Sequence, residues 1–476
     1  MEKAEIGIIG LGAMGSNLAL NMLTKGFQLA VYNHESELTD LFVKQTHEFS
    51  KQVIATKTLK QMVEAIRPPR KIIMMITDGK PVDLLIKKLK SLLSPEDILM
   101  DGGNSDFRDT QIRSKKLSEK GIFFIGIGIS GGTNGARYGA SLMVGGNAVA
   151  YLHIEKILLS ISANYQNHPC CALLGPDGSG HFVKTIHNGI EYAYMQMIAD
   201  IYGILRDGLN KKSMEISHCF SKWNTGKLNS YLTQITAEIL LSIDPITGTS
   251  MIDLICDTAL QKGTGKRSII EGQKLLSNMT TTEAAICARN LSVCKDERIQ
   301  MQLIFRKKTD FVLKDSNFLI EDLENALYCA TLIAYTQGLL VIAKASQKYN
   351  WNVQISTITR IWRAGCIIRS QLLNDIAESL TEDAPHGNLL MIPSISQKIQ
   401  QTISSLRRIV VSCTQYGYPI PALSAALSYF DVYSHEHGTA NLIQAQRDFF
   451  GSHGFDRIDG EREHHGPWKN KSTIYF

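Results

Sequence analysis

The first third of the chain alternates short apolar runs with amphipathic stretches. Glu5–Ile9 is largely apolar and rich in isoleucine, and Phe27–Tyr32, Lys71–Ile76, Asp97–Met100 and Ile122–Ile125 read the same way. Runs of this length predict strands, and the periodicity between them predicts helices. Strand–helix alternation predicts parallel βαβ units with ligands at the carboxyl ends of the strands. From about His181 the pattern changes to long helical periodicity with few strand signals. His181–Arg206 and Leu319–Lys348 each predict one long helix, and the change places a domain boundary near Gly175–Gly180. Trp223 precedes Gly226 by three residues, and Trp362 precedes Gly365 by three. Sliding one tryptophan onto the other lays the first long helix over the second, as an internal duplication would.

Glycines gather where the strands should end: Gly10–Gly15, Gly102–Gly103 and Gly126–Gly132. Turn chemistry explains some of them. Three clusters at strand ends favour a ligand-lined crevice. The first, Gly10-Leu11-Gly12-Ala13-Met14-Gly15, follows a strand and opens a helical pattern. In that setting Gly10 permits a tight turn, Gly12 lets the backbone approach a pyrophosphate, and Gly15 allows helix and strand to pack closely. The helix N-terminus adds positive potential. These residues predict a dinucleotide site in a Rossmann domain with a doubly wound, mainly parallel sheet. The second strand should end near Asn33. A carboxylate there favours a free ribose hydroxyl, and arginine or lysine a 2′-phosphate. Asn33-His34-Glu35-Ser36-Glu37 offers two carboxylates and no fixed cation, a field that repels a 2′-phosphate.

At 476 residues the chain is too long for one ordinary core, so two or three domains are expected. Its composition is globular, with 44% hydrophobic and 20% charged residues. A net charge of +5 does not demand nucleic acid, because an anionic substrate or cofactor accounts equally for local basic clusters. Nine cysteines without a C-x-x-C pair suit reduced thiols rather than a disulfide framework. Met1-Glu2-Lys3 leads straight into a strand-like run, so no signal peptide is expected. No apolar stretch reads as a transmembrane helix. Together these predict a cytoplasmic protein with neither nucleic-acid nor membrane partners.

Lys184, His187, Asn188, Glu191 and Tyr192 recur at i, i+3, i+4, i+7 and i+8, which sets all five on one helix face. Such a polar stripe is ordinarily solvated. Here Phe182, Val183, Ile186 and Ile190 flank it, and a helix apolar round much of its circumference is buried. A buried lysine and glutamate must be paired or functional. Burial lowers the lysine pKa and raises that of the glutamate, as acid–base work near neutrality requires. Gln261-Lys262-Gly263-Thr264-Gly265-Lys266 can offer amides and a lysine to phosphate, without the spacing of a P-loop. Arg289 and Arg447 by themselves read as surface arginines. Adjacent His464 and His465 raise metal binding; a packed or solvated tail is the favoured reading, and no metal site is expected.

These segments, with Asp101-Gly102-Gly103-Asn104-Ser105, Ser130-Gly131-Gly132, Gly135–Gly139, Lys295–Arg298, Gly365–Ser370 and Ala440–Asp448, resemble the 6-phosphogluconate dehydrogenase family over essentially the whole chain. The resemblance implies a Rossmann domain over 1–178, an all-helical substrate and dimerisation domain over 179–436, and a tail over 437–476 that reaches into the partner of a homodimer. It implies oxidative decarboxylation of 6-phosphogluconate to ribulose 5-phosphate in the pentose phosphate pathway, with NADP or NAD as cofactor. Lys184 would be the base on the 3-hydroxyl and Glu191 the acid that protonates C1. Asn104, Ser130, Gly131, Gly132, His187 and Asn188 would hold the sugar acid. Tyr192, Lys262, Thr264 and Arg289 would bind its phosphate, with Arg447 and His453 supplied by the neighbouring tail. Asn104 would also face the cofactor.

The chain departs from the family pattern mainly on the cofactor side. His34, Glu35 and Leu38 stand where the family commonly has residues that grip a 2′-phosphate, Thr77 replaces a lysine, Thr133 a glutamate, and Ala364 a glycine. Weakened NADP binding, with NAD preferred or cofactor binding impaired, is the expectation. Two alternatives stay open at this point: a catalytically weak paralogue that binds a phosphorylated sugar acid, and a dehydrogenase of a related 3-hydroxy acid.

Overall fold

The strands are β1 (Ile6–Ile9), β2 (Leu29–Tyr32), β3 (Val53–Ala55), β4 (Lys71–Met74), β5 (Ile98–Asp101), β6 (Phe123–Ile129), β7 (Leu142–Gly146), β8 (Asn164–Tyr165), β9 (His168–Pro169) and β10 (Cys171–Gly175). In this computed structural model, which describes residues 3–261, 263–305, 319–380 and 387–468, β8 and β9 make a separate hairpin. The other eight form one sheet in the order β10-β7-β6-β5-β4-β1-β2-β3. All pairs in it are parallel except β6 with β7. Both faces are covered, so β1, β5 and β7 are buried at every residue and read as continuous apolar runs rather than alternating ones. The covering helices are α1 (Ala13–Thr24), α2 (Ser36–Gln45), α3 (Leu59–Glu64), α4 (Lys80–Leu89), α5 (Phe107–Ser118), α6 (Gly132–Tyr138) and α7 (Ala148–Ile161). The strand order reverses between β1 and β4, which places the ligand crevice at their carboxyl ends.

The five expected strands are present. β3, β7 and β10 were not anticipated. One expectation needs correction: Gly126 and Gly128 do not end a strand but lie inside β6, which runs on to Ile129. The reason is contact with the next helix. A Cβ on Gly126 would fall 2.8 Å from His181 Nδ1, and one on Gly128 would fall 2.4 Å from Lys184 Cβ.

After the sheet the chain is helical: α8 (Ser179–Gly203), α9 (Ser213–Trp223), α10 (Tyr231–Leu241), α11 (Thr264–Lys274), α12 (Thr280–Val293), α13 (Lys295–Phe305), α14 (Ile320–Tyr349), α15 (Ile355–Ile361), α16 (Gln371–Ser379), α17 (Pro393–Gln415) and α18 (Pro421–Tyr433). The succession of long helix, short helix and serine-capped helix occurs twice, as α8-α9-α10 and α14-α15-α16. Ser230 and Ser370 cap α10 and α16 with matching side-chain bonds to the third residue on, and the two serines face each other across an antiparallel bridge. The reading that no stretch could span a membrane also needs correction. α14 is long and apolar enough by composition, but 94% of its most apolar window is buried inside the protein. It packs against α8 and α17.

Contacts divide the chain into two units, Met1–Leu427 and Ser428–Phe476. In the second, α19 (Ala440–Gly451) is followed by a loop wrapped around Asp448. Its carboxylate accepts from Gly454 and Gly466 amides and from Trp468 Nε1, and pairs with His465 Nδ1 at 2.6 Å. His464 contacts Glu461 at 3.4 Å. The adjacent histidines are thus engaged within the tail's own packing.

Candidate active site

At the crevice, the backbone of Gly10 has φ +98°, and a Cβ there would sit 2.4 Å from the Met75 carbonyl oxygen, so only glycine fits the turn. A Cβ on Gly15 would lie 1.9 Å from the Gly10 oxygen, whereas Gly12 has nothing within 4 Å of that position. The loop is therefore packed beneath and open above, as close approach of a pyrophosphate requires. The Leu11 amide donates to Asn33 Oδ1 at 3.0 Å, and Asn33 Nδ2 donates to the Glu35 carbonyl at 3.2 Å, fastening the end of β2 to the loop. Gly12, Ala13, Met14, Gly15, Thr77, Gly102, Gly103 and Asn104 line a cavity of about 480 Å³. Its shape, amide-lined floor and place at the strand-order reversal fit a dinucleotide. His34 and Glu35 follow Asn33 beyond the end of β2, 81% and 60% exposed, with 3.7 Å between Nε2 and Oε1.

The acid–base pair lies on α8. Lys184 is 7% exposed, packed on Gly128 of β6, and has no hydrogen bond or ion pair among the described residues. Burial holds its pKa below the ordinary lysine value, with Glu191 pulling the other way. Burial raises Glu191 above the usual carboxylate range, opposed by Lys184 and Arg289. The two groups therefore shift toward each other, the condition for proton transfer near neutral pH. His187 is fully buried. Its Nε2 contacts Ser130 Oγ at 3.2 Å and its Nδ1 contacts Asn188 Oδ1 at 3.2 Å, with the ring edge-on to Trp362 at 5.3 Å. Burial and the neighbouring Lys184 push its pKa well down, so it is a neutral hydrogen-bonding group.

The loops facing α8 are held from below. Asp101, at the end of β5, accepts from the Gly103 amide at 3.0 Å and from Ser105 Oγ at 2.7 Å, with Arg113 Nη1 at 3.4 Å. This buried network sets the turn that carries Asn104. His181 bonds the Asp101 carbonyl at 3.1 Å and Thr110 Oγ1 at 2.7 Å, tying the start of α8 to the same turn. Gly131 packs on the Gly365 carbonyl, 2.5 Å from the position a Cβ would take, and Gly365 O accepts from the Ser141 amide. The Ser130–Gly132 turn and the Gly365–Ser370 segment thus support each other. Thr133 is exposed on α6.

A third group lies at the start of α11. Thr264 lines the cavity, and Gly265 packs against the Tyr192 ring, 2.6 Å from where a Cβ would sit. The Arg289 guanidinium lies 3.8 Å from the Tyr192 ring centroid, a cation–π contact; it makes no salt bridge among the described residues, although its charge acts on Glu191. Lys262 lies outside the described residues. Arg447 and His453 belong to the second unit, both exposed, and Arg447 bonds Gln444 at 3.0 Å. Sequence reasoning missed Asp101, Arg113 and His181, which position the turns, and Asp78 and Arg267, which line the cavity. Asp101 and His181 lay inside segments already singled out, and Asp78 and Arg267 directly beside singled-out residues; Arg113 alone carried no signal.

Comparison with known proteins agrees with this layout. The NAD binding domain of 6-phosphogluconate dehydrogenase matches residues 5–175, and the 6-phosphogluconate dehydrogenase C-terminal domain matches residues 180–468. The chain is 42% identical to the NAD(+)-dependent decarboxylating 6-phosphogluconate dehydrogenase of Bacillus subtilis, covering 97% of this chain and 99% of that one. It is 39% identical to the NADP(+)-dependent enzyme of the same organism, covering 98% and 100%. The solved structure of Plasmodium falciparum 6-phosphogluconate dehydrogenase, studied with NADP+ and with 6-phosphogluconate, superposes with a TM-score of 0.94 at 41% identity, covering 98% and 100%. With both domains matched over residues 5–175 and 180–468 and relatives about 40% identical over nearly the whole chain, the chain belongs to the 6-phosphogluconate dehydrogenase family.

Proposed function

We propose that this chain oxidatively decarboxylates 6-phospho-D-gluconate to D-ribulose 5-phosphate and CO2 with reduction of NAD or NADP, a step of the pentose phosphate pathway. The observation that carries the reading is the pair Lys184 and Glu191. They share one buried helix face with pKa values displaced toward each other, beside the dinucleotide cleft. The relatives bearing this activity support it at about 40% identity over nearly the whole chain.

The bound nicotinamide ring supplies the hydride acceptor. Neutral Lys184 takes the proton of the substrate 3-hydroxyl as C3 is oxidised. The ammonium so formed stays beside the new carbonyl oxygen. Loss of CO2 from the 3-keto acid leaves an electron pair delocalised as an enediolate, whose oxygen that ammonium stabilises. Glu191, whose carboxyl burial raises above the usual carboxylate range, delivers a proton to C1. Asn104, Ser130, Gly131, Gly132, His187 and Asn188 orient the sugar acid; neutral His187 does so without adding a second cation beside Lys184. Tyr192, Lys262, Thr264 and Arg289 receive the phosphate, where charge-assisted bonds are strongest. No metal ion is required in this scheme.

Arg447 and His453 of the partner subunit would complete the site in a homodimer. The apolar side chains Leu442, Ile443, Phe449 and Phe450 of α19, exposed by 58–74%, support a tail that is covered in the assembly. The twice-repeated helix succession supports an internal duplication of the helical domain. Nine free cysteines suit a reducing, cytoplasmic compartment, and the reading involves neither nucleic acid nor membrane. The test is nicotinamide absorbance on adding 6-phosphogluconate with NAD or NADP, with CO2 release followed in parallel. Reduction with stoichiometric CO2 is expected. Binding of the acid without reduction of either cofactor would overturn the proposal.

A further inference from the structure

Arg267 lies in the first turn of α11, the helix that opens with Thr264. Its Nη2 donates to Asp78 Oδ2 at 2.8 Å and its Nη1 donates to the Asn104 carbonyl at 2.8 Å. Asp78 follows β4 and Asn104 follows β5, so one guanidinium holds two lips of the cofactor cleft. Asp78, Asn104, Thr264 and Arg267 all line the same cavity. The ion pair is about one-third exposed on each side, 35% for Arg267 and 30% for Asp78, so it can break and reform without a large desolvation cost. Further along α11, Glu271 makes a bidentate pair with Arg108 of α5, both contacts at 2.6 Å. The helix body is thereby fixed to α5, and its first turn is left as the part able to respond to a ligand.

We propose that Arg267 is a positioning residue that couples the two ligand sites: a phosphorylated acid engaging Thr264 fixes the first turn of α11, and Arg267 then holds Asp78 and Asn104 in the arrangement that binds the dinucleotide. The inference rests on the function proposed above and adds the means by which its two substrates sense each other. Linkage requires that the dinucleotide tighten the acid by the same factor as the acid tightens the dinucleotide.

The test uses the reduced cofactor, which cannot turn over with 6-phosphogluconate. Its dissociation constant is measured by nicotinamide fluorescence with and without saturating acid, in the wild type, R267Q, R267K and D78N, each first checked for an unchanged melting temperature. The wild type should bind reduced cofactor more tightly when the acid is present. R267Q should lose most of that tightening, by about threefold or more, while its affinity for the acid alone changes less than twofold. D78N should lose part of it, and R267K should restore part. A tightening factor that survives R267Q overturns the proposal, as does a wild type with none. If cofactor affinity falls equally with and without acid, Arg267 is a simple cofactor contact. Failure of the wild type to turn over either cofactor would count against the proposed function itself; normal turnover with an unaltered factor in R267Q would count against this inference alone.

Discussion

Replacing His34 with arginine and Glu35 with threonine should shift cofactor use toward NADP. The two side chains stand at the end of β2, 81% and 60% exposed, and approach to 3.7 Å. A 2′-phosphate gripped by residue 34 would stand roughly 5 Å from the residue-35 carboxylate, where a pair of unit charges in water interacts by about 0.8 kcal/mol. A phosphate monoester carries about −1.5 to −2 charges, and physiological salt removes roughly half the interaction at that range. Deleting the carboxylate therefore relieves about 0.7 kcal/mol. A charge-assisted arginine–phosphate bond adds roughly 1.5 kcal/mol, the low end of its range because the site is exposed. The sum, about 2 kcal/mol, is roughly a thirtyfold rise in the ratio of kcat/KM for NADP to that for NAD. Initial rates at saturating 6-phosphogluconate over a series of each cofactor give the ratio directly. A ratio unchanged within twofold would refute the electrostatic reasoning and show that the 2′ position is read elsewhere.

Lys184→Met should lower kcat by about a thousandfold while leaving the melting temperature unchanged or higher, because the substitution removes both the base and a buried amine that has no hydrogen-bond partner among the described residues. In pH profiles of kcat/KM, activity should fall with decreasing pH as Lys184 takes up a proton at its lowered pKa; a limb at the ordinary lysine value of 10.5 would contradict its burial. Gly128→Ala should cost about ten- to a hundredfold in kcat in a folded protein, because the added Cβ lands 2.4 Å from Lys184 Cβ. Asp200, buried, accepts from the Ala422 and Leu423 amides and from Gln196. Burial nonetheless pushes its carboxyl up to about 7 from the ordinary 3.8. The folded state thus keeps a proton that the unfolded state has lost, so urea-measured stability should decline as pH rises from about 4 to about 7, and Asp200→Asn should flatten that decline.

The parts of this fold that announce themselves in sequence are those with a local cause. β1, β2, β4, β5 and β6 are apolar runs followed by turn residues, and Gly10–Gly15 carries its own geometric requirement. The burial of Lys184 was legible because Phe182, Val183, Ile186 and Ile190 leave the helix no solvated side. β3 has three residues, and β7 and β10 end in glycine-containing segments that read equally well as loops; their pairing is decided by the finished sheet. The roles assigned within the site came from resemblance, since spacing alone could not tell a phosphate ligand such as Arg289 from a surface arginine. Asp78 and Arg267, far apart in sequence, left no joint signal, because neither residue type nor period marks an ion pair made only when α11 packs beside the end of β4.

The chemistry of α8 depends on how closely it lies on the sheet. Gly126, Gly128 and Gly145 present bare backbone to it, and Gly180 answers from the helix: a Cβ on Gly180 would fall 2.4 Å from the Met143 carbonyl and 2.7 Å from that of Gly126. This contact excludes water from Lys184, and exclusion of water lowers its pKa. The same contact brings His181 onto Asp101 and His187 onto Ser130. The turns bearing Asn104 and Ser130 are thus positioned by the feature that tunes the base. Geometry and pKa therefore cannot be varied independently here: a side chain introduced at Gly126 or Gly128 would lift the helix, admit water to Lys184 and displace both turns together.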